Sequence, residues 1–400
     1  MASDQVEEQI CPHIDFTSDE TRDDLYGVIG RLQQQCPVVR TDAHDGYWVV
    51  TRHEDVSAIL CDYENFTSTQ GVTVPRAEAP LRSLPMESDP PIQQHYRKLL
   101  NPFLSPAKSA ALEPAIRVIV REFIDRFLDN GRCDAVAELG QQVPSTVLLR
   151  LLFEADEAEV ATLHEWVLAF AYEPTSPKAI EGVVGLAGWC YRLMGQRKAN
   201  PRGGIVQAVI DGVVDGRPVA EDEALGMLLL LLVGGFDTTA NAIASSLVHL
   251  ANNPELQVEL RVNPERLKNA IEEFLRYDPP VIGLARRAKN DVELGGRLIP
   301  AGDAVYFSLA GANHDDHQFD APNDLRVDRW PNKHLTFGAG VHRCVGSHLA
   351  RVMLQVTLQE ILSSMHDIAL DGQVEYYQAA ARGPRAVNIT FTPHRGQGAS

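Results

Sequence analysis

The chain has 400 residues, of which 44% are hydrophobic and 22% are charged, so it carries enough apolar side chains to fold around a large core. Its formal net charge of -18 argues against nucleic acid or an anionic membrane surface as the main partner. The first residues, MASDQVEEQICPHIDF, lack the basic and apolar regions of a signal peptide, and the longest apolar run, 227–233, is too short to cross a bilayer. We therefore expect a cytoplasmic protein that associates with neither membranes nor nucleic acid.

Helical periodicity dominates the chain, with apolar residues recurring about every 3.6 positions. The predicted helices span 107–130, 143–153, 156–172, 180–199, 221–252, 254–260, 264–277 and 345–364. Strand patterns are fewer: 37–40 and 47–52 flank Asp45-Gly46, 291–294 and 297–299 flank Gly295-Gly296, and 387–391 forms a last short strand. The proline-rich segment 71–91 is either a lid or an irregular connector.

These patterns predict a mainly α fold with small peripheral β-sheets. No internal repeat and no Ser/Gly/Pro linker divides the chain, so we predict a single large domain. This domain spans residues 11–393, between flexible ends at 1–10 and 394–400.

Six cysteines are spread along the chain without a Cys-x-x-Cys pair, namely Cys11, Cys36, Cys61, Cys133, Cys190 and Cys344. This spacing supports neither a zinc ribbon nor a dithiol redox motif and is consistent with a reducing compartment. We interpret all of them except Cys344 as small buried apolar residues.

The segment 334–348, HLTFGAGVHRCVGSH, surrounds Cys344 with glycines just before a predicted helix. Glycine removes side chains that would block the approach of a flat cofactor to the sulfur, and the helix N-terminus favours thiolate over thiol. Soft thiolate ligation suits zinc, iron–sulfur clusters and haem, but the first two need several protein ligands, and none lies at usable spacing. A cysteine nucleophile is the alternative, although it requires far less than this pattern supplies.

Six positions of this segment match the cysteine-ligand signature of the cytochrome P450 family, namely Phe337, Gly338, Gly340, His342, Cys344 and Gly346. Three further segments match in the expected order, so the chain resembles that family over nearly its whole length. The resemblance implies the cytochrome P450 fold, haem b as cofactor and Cys344 as the axial ligand of the haem iron. The other five signature residues are then part of the cofactor site.

Glu273 and Arg276 resemble the Glu-x-x-Arg motif of the family, which joins Arg329 in a buried polar network. In isolation, a surface ion pair at this spacing explains most such pairs. Their position after a long helix and well before Cys344 favours the family motif. The resemblance implies a structural network that holds the core around the haem.

The stretch Gly234-Gly235-Phe236-Asp237-Thr238 resembles the oxygen-activation motif on the long central helix of the family. Glycine, aspartate and threonine are poor helix formers, and such a local conflict often marks a functional site. A kink that relieves packing strain is the alternative. By the resemblance, Asp237 and Thr238 are catalytic and deliver protons through ordered water.

Basic groups at three positions match the family residues that bind the haem propionates, namely Arg97, Arg286 and His342. Bidentate pairing of arginine with a carboxylate is suitable chemistry for this role. The sequence departs from the commonest family pattern at Gln93, where histidine is usual, and His95 is out of register to replace it.

The run His314-Asp315-Asp316-His317 looks like a metal cluster, since two histidines with carboxylates can bind zinc. In the family an Asn-Arg-Asp turn stands here, and Asn313-His314-Asp315 resembles it. We therefore disfavour a metal site at this position.

The resemblance implies a monooxygenase that inserts one atom of O2 into a C–H bond of a small or medium-sized hydrophobic substrate, terpenoid or aromatic. Candidate substrate contacts are Val233, Gly234, Val281, Ile282, Leu284, Ala285 and Ala380. Electrons are expected from a separate ferredoxin and ferredoxin reductase with NAD(P)H, docking near Arg97, Arg343 and Arg351 on a monomeric enzyme. Peroxide use, oxidative coupling and a haem-binding sensor are the alternatives.

Overall fold

The computed structural model describes residues 14–16, 18–76, 81–173 and 176–395. The ends predicted to be flexible lie outside these ranges, apart from residues 394 and 395. Helices make up most of the fold. The α-helices are Asp19–Asp23, Leu25–Gln35, His53–Cys61, Ile92–Leu104, Pro106–Ala111, Glu113–Phe127, Gln142–Thr146, Val160–Tyr172, Pro177–Ala199, Ile205–Ile210, Glu221–Ala251, Pro254–Val262, Leu267–Tyr277, Leu309–Asn313 and Ser347–Ser364.

Short 3-10 and π-helical turns connect or extend these helices. The 3-10 turns are Ala43–Asp45, Leu128–Asn130, Pro264–Arg266 and Gly340–His342, and the π-helical turns are Val136–Gly140 and Val147–Phe153. The predicted helix over 107–130 is therefore interrupted near Leu112, and the one over 143–153 ends as a π-helical turn. The other six predicted helices are confirmed, with ends that differ by a few residues.

The strands form one five-stranded sheet and several smaller ones. They are β1 (Val38–Thr41), β2 (Tyr47–Val50), β3 (Phe66–Thr67), β4 (Arg132–Asp134), β5 (Val213–Val214), β6 (Arg217–Pro218), β7 (Gly283–Ala288), β8 (Val292–Leu294), β9 (Arg297–Ile299), β10 (Ala304–Ser308), β11 (Met365–Leu370), β12 (Tyr376–Gln378), β13 (Arg382–Pro384) and β14 (Asn388–Pro393). The largest sheet has the order β1-β2-β10-β7-β3, with β2 and β10 parallel. Both predicted hairpins are confirmed as the antiparallel pairs β1–β2 and β8–β9.

The helix Glu221–Ala251, called the central helix below, runs through the main hydrophobic core. Three acidic residues in its first turn suit the positive end of the helix dipole, and Glu223 also accepts a hydrogen bond from the backbone N–H of Ala220 (2.8 Å). By length and composition this helix resembles a membrane span, but 67% of its most apolar window is buried. Burial in the core accounts for its apolar composition.

The cysteines other than Cys344 are only partly as predicted. Cys133 and Cys190 are buried free thiols, and burial raises the pKa of each to about 12. Cys61 is also free, but it is exposed, so its assignment to the core is wrong. Cys36 is buried and disulfide-bonded, so it is not a free thiol. Cys11 lies outside the described residues.

Candidate active site

An internal cavity of about 310 Å³ contains Cys344 in its wall. Its lining comes from the central helix, from the cysteine loop 334–346, from the following helix Ser347–Ser364 and from the five-stranded sheet. Most of these side chains are leucine, valine, methionine, proline and phenylalanine. The few charged or titratable groups in the wall are Cys344, Arg97, Arg286 and His342, and they are residues that the sequence singles out.

Two glycines give the cysteine loop its shape. Gly338 and Gly340 have φ of 66° and 63°, a region that side chains rarely adopt, and the loop closes where the N–H of Cys344 donates to the carbonyl of Phe337 (2.8 Å). A Cβ at Gly340 would lie 2.4 Å from the carbonyl oxygen of Leu60. Gly340 is therefore needed for close packing against that backbone, whereas the prediction that it clears space beside the sulfur is not what the structure shows.

The other signature residues border the cavity directly. Phe337, Gly338, His342 and Gly346 line it, as does Cys344 itself. A Cβ at position 346 would lie 3.9 Å from the sulfur of Cys344, which is ordinary contact distance. This glycine thus leaves open space next to the sulfur without being required by its backbone conformation.

Cys344 is exposed toward the cavity, while protein surrounds it on its other sides. Burial raises the pKa of this thiol above its ordinary value, and the N–H of Gly346 with the charges of Arg97, Arg351 and Arg343 offset this only in part. The N–H at the start of the helix thus favours the thiolate, as predicted, but burial outweighs its effect. Bonding to a metal ion deprotonates a coordinating thiol directly, so a haem iron would supply what the helix does not.

Arg286 is the most deeply buried cation in the cavity wall, with 4% of its surface exposed. Its Nη1 donates to the carbonyl of Ala285 (2.8 Å), and its guanidinium lies 5.2 Å from the ring centre of Phe307. Within the described residues no carboxylate lies at ion-pair distance from it, and burial lowers the pKa of Arg286 to about 10. A buried charge of this kind is costly unless an anion pairs with it.

Arg97 and His342 complete the basic side of the cavity. Nη1 of Arg97 donates to the carbonyl of Arg343 (2.8 Å), and burial lowers the pKa of Arg97 below its ordinary value. Nε2 of His342 lies 3.3 Å from Oγ of Ser68.

Two guanidinium groups without an acidic partner in the described part of the chain, beside a cysteine in an apolar cavity, fit a flat apolar group that carries two carboxylates. These are the features of haem, so the residues present fit the implied cofactor.

Gln93, which stands where histidine is usual in the family, contacts the cysteine loop. It is fully buried, and its Nε2 donates to the carbonyl of Val341 (2.7 Å) in the cysteine loop. It does not line the cavity. The amide group therefore supports the loop from behind, while its Oε1 has no hydrogen-bond partner.

The predicted polar network behind the cavity is formed. Glu273 and Arg276 have no exposed side-chain surface and make two parallel hydrogen bonds of 2.8 Å, and Nε of Arg329 lies 3.2 Å from both carboxylate oxygens. Burial alone would raise the pKa of Glu273, but the hydrogen bonds from Arg276 and from the N–H of Arg326 lower it below its ordinary value. Arg276 also donates to the carbonyl of Asn313, which ties the network to the sheet side of the fold.

On the central helix, the hydroxyl of Thr238 lines the cavity and donates to the carbonyl of Gly234 four residues earlier (2.6 Å). Asp237 faces a different direction and does not line the cavity. Its Oδ2 accepts hydrogen bonds from the hydroxyl of Tyr172 (2.8 Å) and from Nδ2 of Asn241 (3.1 Å). Burial raises the pKa of Asp237 to about 6, against the effect of these two donors.

Sequence reasoning missed both partners of Asp237. Asn241 follows at i+4, a spacing that places side chains side by side on a helix, so this contact was open to prediction. Tyr172 comes from a distant helix, and no local pattern indicates its contact. Thr239, the residue after Thr238, also lines the cavity.

The predicted substrate contacts divide into two groups. Gly234, Val281 and Leu284 line the cavity, as do Pro85 and Met86 from the proline-rich segment. The structure does not bring the others to it, namely Val233, Ile282, Ala285 and Ala380. Alternation explains part of this difference, because successive residues of an extended chain face opposite sides and Ile282 packs into a separate cluster with Tyr306.

In the run 314–317, His314 and Asp315 contact other parts of the protein. Among the described residues no group of three or more His, Cys, Asp or Glu side chains is placed to hold a metal ion. His314 binds the carbonyl of Tyr277 (2.9 Å) and Oδ1 of Asn323 (3.1 Å), while Asp315 pairs with Arg52 (2.5 Å). These contacts link the run to the rest of the fold.

The predicted docking arginines are not equivalent. Arg351 is engaged with Glu272 through hydrogen bonds of 2.6 and 2.7 Å, so it is not a free positive charge. Arg343 is exposed and makes no ion pair with any residue the structure describes. Arg97 points into the cavity wall. Of the three, Arg343 alone is suited to contact an acidic partner.

Comparisons with known proteins point to one family. The Cytochrome P450 family profile matches residues 193–366. The chain is 34% identical to linalool 8-monooxygenase of Pseudomonas putida over 85% of this chain and 88% of that protein. It is also 34% identical to mycinamicin IV hydroxylase/epoxidase of Micromonospora griseorubida, over 86% and 89% of the two chains.

Solved structures show the same fold. The cytochrome P450 CYP268A2 of Mycobacterium marinum in complex with pseudoionone matches with a TM-score of 0.86 at 27% identity, covering 94% of this chain and 95% of that chain. A mutant of P450 EryK in complex with erythromycin B matches with the same TM-score and identity, covering 96% and 100%. The similarity in fold therefore extends over nearly the entire chain.

Proposed function

The chain belongs to the cytochrome P450 family and is a monooxygenase of that family, and from this premise we propose that it hydroxylates a small or medium-sized hydrophobic substrate of terpenoid type. The observation that carries the proposal is the cavity itself. It combines Cys344, two guanidinium groups and the hydroxyl of Thr238 within otherwise apolar walls.

We propose that haem b occupies this cavity, with Cys344 as the iron ligand and with Arg97, Arg286 and His342 at its carboxylates. The bound haem would supply activation of O2, with one oxygen atom going to the substrate and the other to water. The contribution of the protein is to exclude bulk water from the cavity and to bring protons to it. In this proposal Thr238, which lines the cavity, holds a water molecule there, and Asp237 supplies protons to it although its carboxylate is hydrogen-bonded outside the cavity.

The substrate class follows from the walls of the cavity. Away from Cys344 and the basic groups, the lining residues with a hydrogen-bonding side chain are Thr238, Thr239 and Thr336. Apolar walls with few polar groups bind ligands mainly by burying apolar surface. Linalool 8-monooxygenase and the pseudoionone complex show, by their names, that relatives of this chain use or bind terpenoid-like molecules. A terpenoid is therefore the first substrate to test.

We further propose that electrons come from a separate ferredoxin and its NAD(P)H-dependent reductase, with a cytoplasmic monomer as the enzyme. The exposed side chain of Arg343 directly precedes the cysteine ligand, which places a positive charge close to the haem for an acidic partner. Steering by opposite charge raises the rate of encounter more than it raises affinity.

The decisive experiment is turnover of linalool by the haem-loaded protein with NADH, a surrogate ferredoxin and its reductase, under oxygen-18. We expect one labelled oxygen atom in the product. Thr238→Ala should still consume NADH and O2 but release peroxide in place of product, whereas Thr239→Ala keeps the Thr238 hydroxyl and should remain coupled. Turnover that requires peroxide in place of NADH and O2 would contradict the proposal and favour a peroxide-using enzyme. If terpenoid and aromatic compounds bind but none of those tried causes the protein to consume O2, the result would favour a haem-binding sensor.

A further inference from the structure

A buried hydrogen-bond triangle lies beside the cavity and joins two helices. Its members are Tyr172, the last residue of helix Val160–Tyr172, and Asp237 and Asn241 on the central helix. The hydroxyl of Tyr172 donates to Oδ2 of Asp237 (2.8 Å), and Nδ2 of Asn241 donates to that oxygen (3.1 Å) and to the hydroxyl of Tyr172 (2.7 Å). The tyrosine hydroxyl thus donates its one hydrogen bond to the carboxylate and accepts one from the amide.

A third part of the chain holds the triangle in place. The ring of Tyr377, on strand β12, stacks on Tyr172 with ring centres 4.8 Å apart. On strand β13, a Cβ at Gly383 would lie 2.0 Å from Oδ1 of Asn241, so the hairpin packs tightly against the amide. This packing fixes the orientation of both donors.

We propose that Tyr172 and Asn241 are positioning residues that hold the carboxylate of Asp237 turned away from the cavity, so that the Tyr172 contact controls proton supply to the cavity. The inference rests on the proposed function, because it gives Asp237 a role in moving protons. Its structural basis is independent of that role: Thr238 lines the cavity, while its neighbour Asp237, about 100° around the helix, does not. The carboxyl must leave Tyr172 to face the cavity.

Among the described residues, no charged group contributes to the pKa shift of Asp237. The helix Val160–Tyr172 carries the titratable groups His164, Glu165 and Tyr172. The hairpin β12–β13 carries Tyr376, Tyr377 and Arg382, and the guanidinium of Arg385 lies 4.0 Å from the centre of the Tyr377 ring. Of these groups, Tyr172 is the one that shifts the pKa of Asp237. Burial lowers the pKa of His164 to about 4, so it is neutral near pH 7. The protonation of Asp237 is therefore governed by burial, which favours the neutral acid, and by its two donors, which favour the carboxylate.

Removing the tyrosine hydroxyl has a calculable consequence. Tyr172→Phe keeps the ring stack but deletes one hydrogen bond to the ionised form, so the pKa of Asp237 should rise. The loss of one such bond corresponds to a shift of about one pH unit. With a starting pKa of about 6, the protonated fraction at pH 7 would grow from about one tenth to about one half, or roughly fivefold.

The test is an infrared pH titration of the haem-loaded protein, following the carbonyl band of a protonated carboxyl that is absent in Asp237→Asn. In Tyr172→Phe the midpoint should move upward by about one unit. Tyr377→Phe is the matched control, because it deletes a hydroxyl from the neighbouring ring and leaves both donors to Asp237. An unchanged midpoint in Tyr172→Phe, or an equal shift in Tyr377→Phe, would overturn the positioning role.

A turnover measurement separates this inference from the proposed function. The pH at which coupling of NADH oxidation to product falls should move upward in Tyr172→Phe by the same amount as the infrared midpoint, with KM for the substrate unchanged. An infrared shift without a shift of the coupling profile would overturn the control of proton supply. Absence of any product in the wild type would overturn the proposed function, and with it the proton-supply step, whatever the infrared titration shows.

Discussion

Replacing Arg286 with methionine should stabilise the haem-free protein. Burial lowers the pKa of Arg286 from 12.5 to about 10, which corresponds to a cost of about 3 kcal/mol for keeping the guanidinium charged. Because the lower pKa belongs to the folded state, the cost is fully present at neutral pH and disappears only as the pH rises from about 10 toward 12.5. The cation–π contact of the guanidinium with the ring of Phe307 offsets about 1–2 kcal/mol of this cost. We expect the free energy of unfolding to increase by about 1–2 kcal/mol.

With haem bound, the same substitution should be harmful. It removes a charged hydrogen-bond donor to a carboxylate, so the haem dissociation constant should rise by about 10- to 150-fold. Urea unfolding followed by circular dichroism measures the first effect, and transfer of haem to apomyoglobin measures the second. Arg287→Met is the control, since Arg287 is the next residue of the strand and donates to the carbonyl of Gly302 instead of lining the cavity.

The two assays must give opposite signs for Arg286→Met. If the substitution destabilises the haem-free protein as well, then Arg286 is not a buried charge that lacks its anion. If haem affinity falls equally in Arg287→Met, the loss reflects general damage to strand β7 and not a missing carboxylate contact.

Three further predictions concern the cysteine loop and its surface. The carbon monoxide complex of the reduced protein should show the long-wavelength Soret band of thiolate ligation, and Cys344→His should abolish it; a wild-type spectrum typical of imidazole would refute the ligand assignment. Arg343→Glu should slow reduction by ferredoxin at low salt, with the difference shrinking near about 0.15 M, while Arg351→Glu should chiefly lower the melting temperature because it breaks the pair with Glu272. Gly340→Ala should lower the free energy of unfolding by at least about 1–2 kcal/mol, measured by urea titration, because φ is positive there and the new Cβ meets backbone; an unchanged value would contradict the packing role.

Much of the helical framework could be predicted because periodicity survives wherever a helix has one buried face. Helix Leu267–Tyr277 is an example, since its buried residues Leu267, Ala270, Ile271 and Phe274 recur at helical spacing. The two hairpins were equally accessible, since turn residues such as Gly295 and Gly296, which adopt positive φ, fix the position of the turn.

Elements that are buried on every side gave no such signal. Strand β10, Ala304–Ser308, is buried at all five positions, so its sequence lacks the alternation by which a half-exposed strand is recognised. Strand β7 carries Arg286 and Arg287 in its middle, so its sequence has the polar character of a loop and does not predict a buried strand. Both strands belong to the largest sheet, and this is why the sequence suggested only small peripheral ones.

The site could be predicted where its residues are close together in the sequence. It could not be predicted where contacts join residues that are far apart in the sequence. Cys344 and its glycines stand within ten residues, so their spacing carries the information. The contact of Tyr172 with Asp237 joins residues 65 positions apart, and the pairing of Arg351 with Glu272 joins residues 79 apart. No periodicity or motif within either segment encodes these contacts, because tertiary packing alone creates them.

The neutral residue at Gln93 is consistent with the charge of the site. A haem carries two carboxylates, and the cavity wall contains two guanidinium groups, Arg97 and Arg286, that have no acidic partner in the described residues. A buried histidine at position 93 would be neutral near pH 7, because burial lowers the pKa of an imidazole, so its replacement by an amide leaves this charge balance unchanged. The amide instead supports the cysteine loop through its bond to Val341 (2.7 Å). The departure from the common family pattern thus places at position 93 an amide that contacts the cysteine loop, and it leaves two cations for two anions.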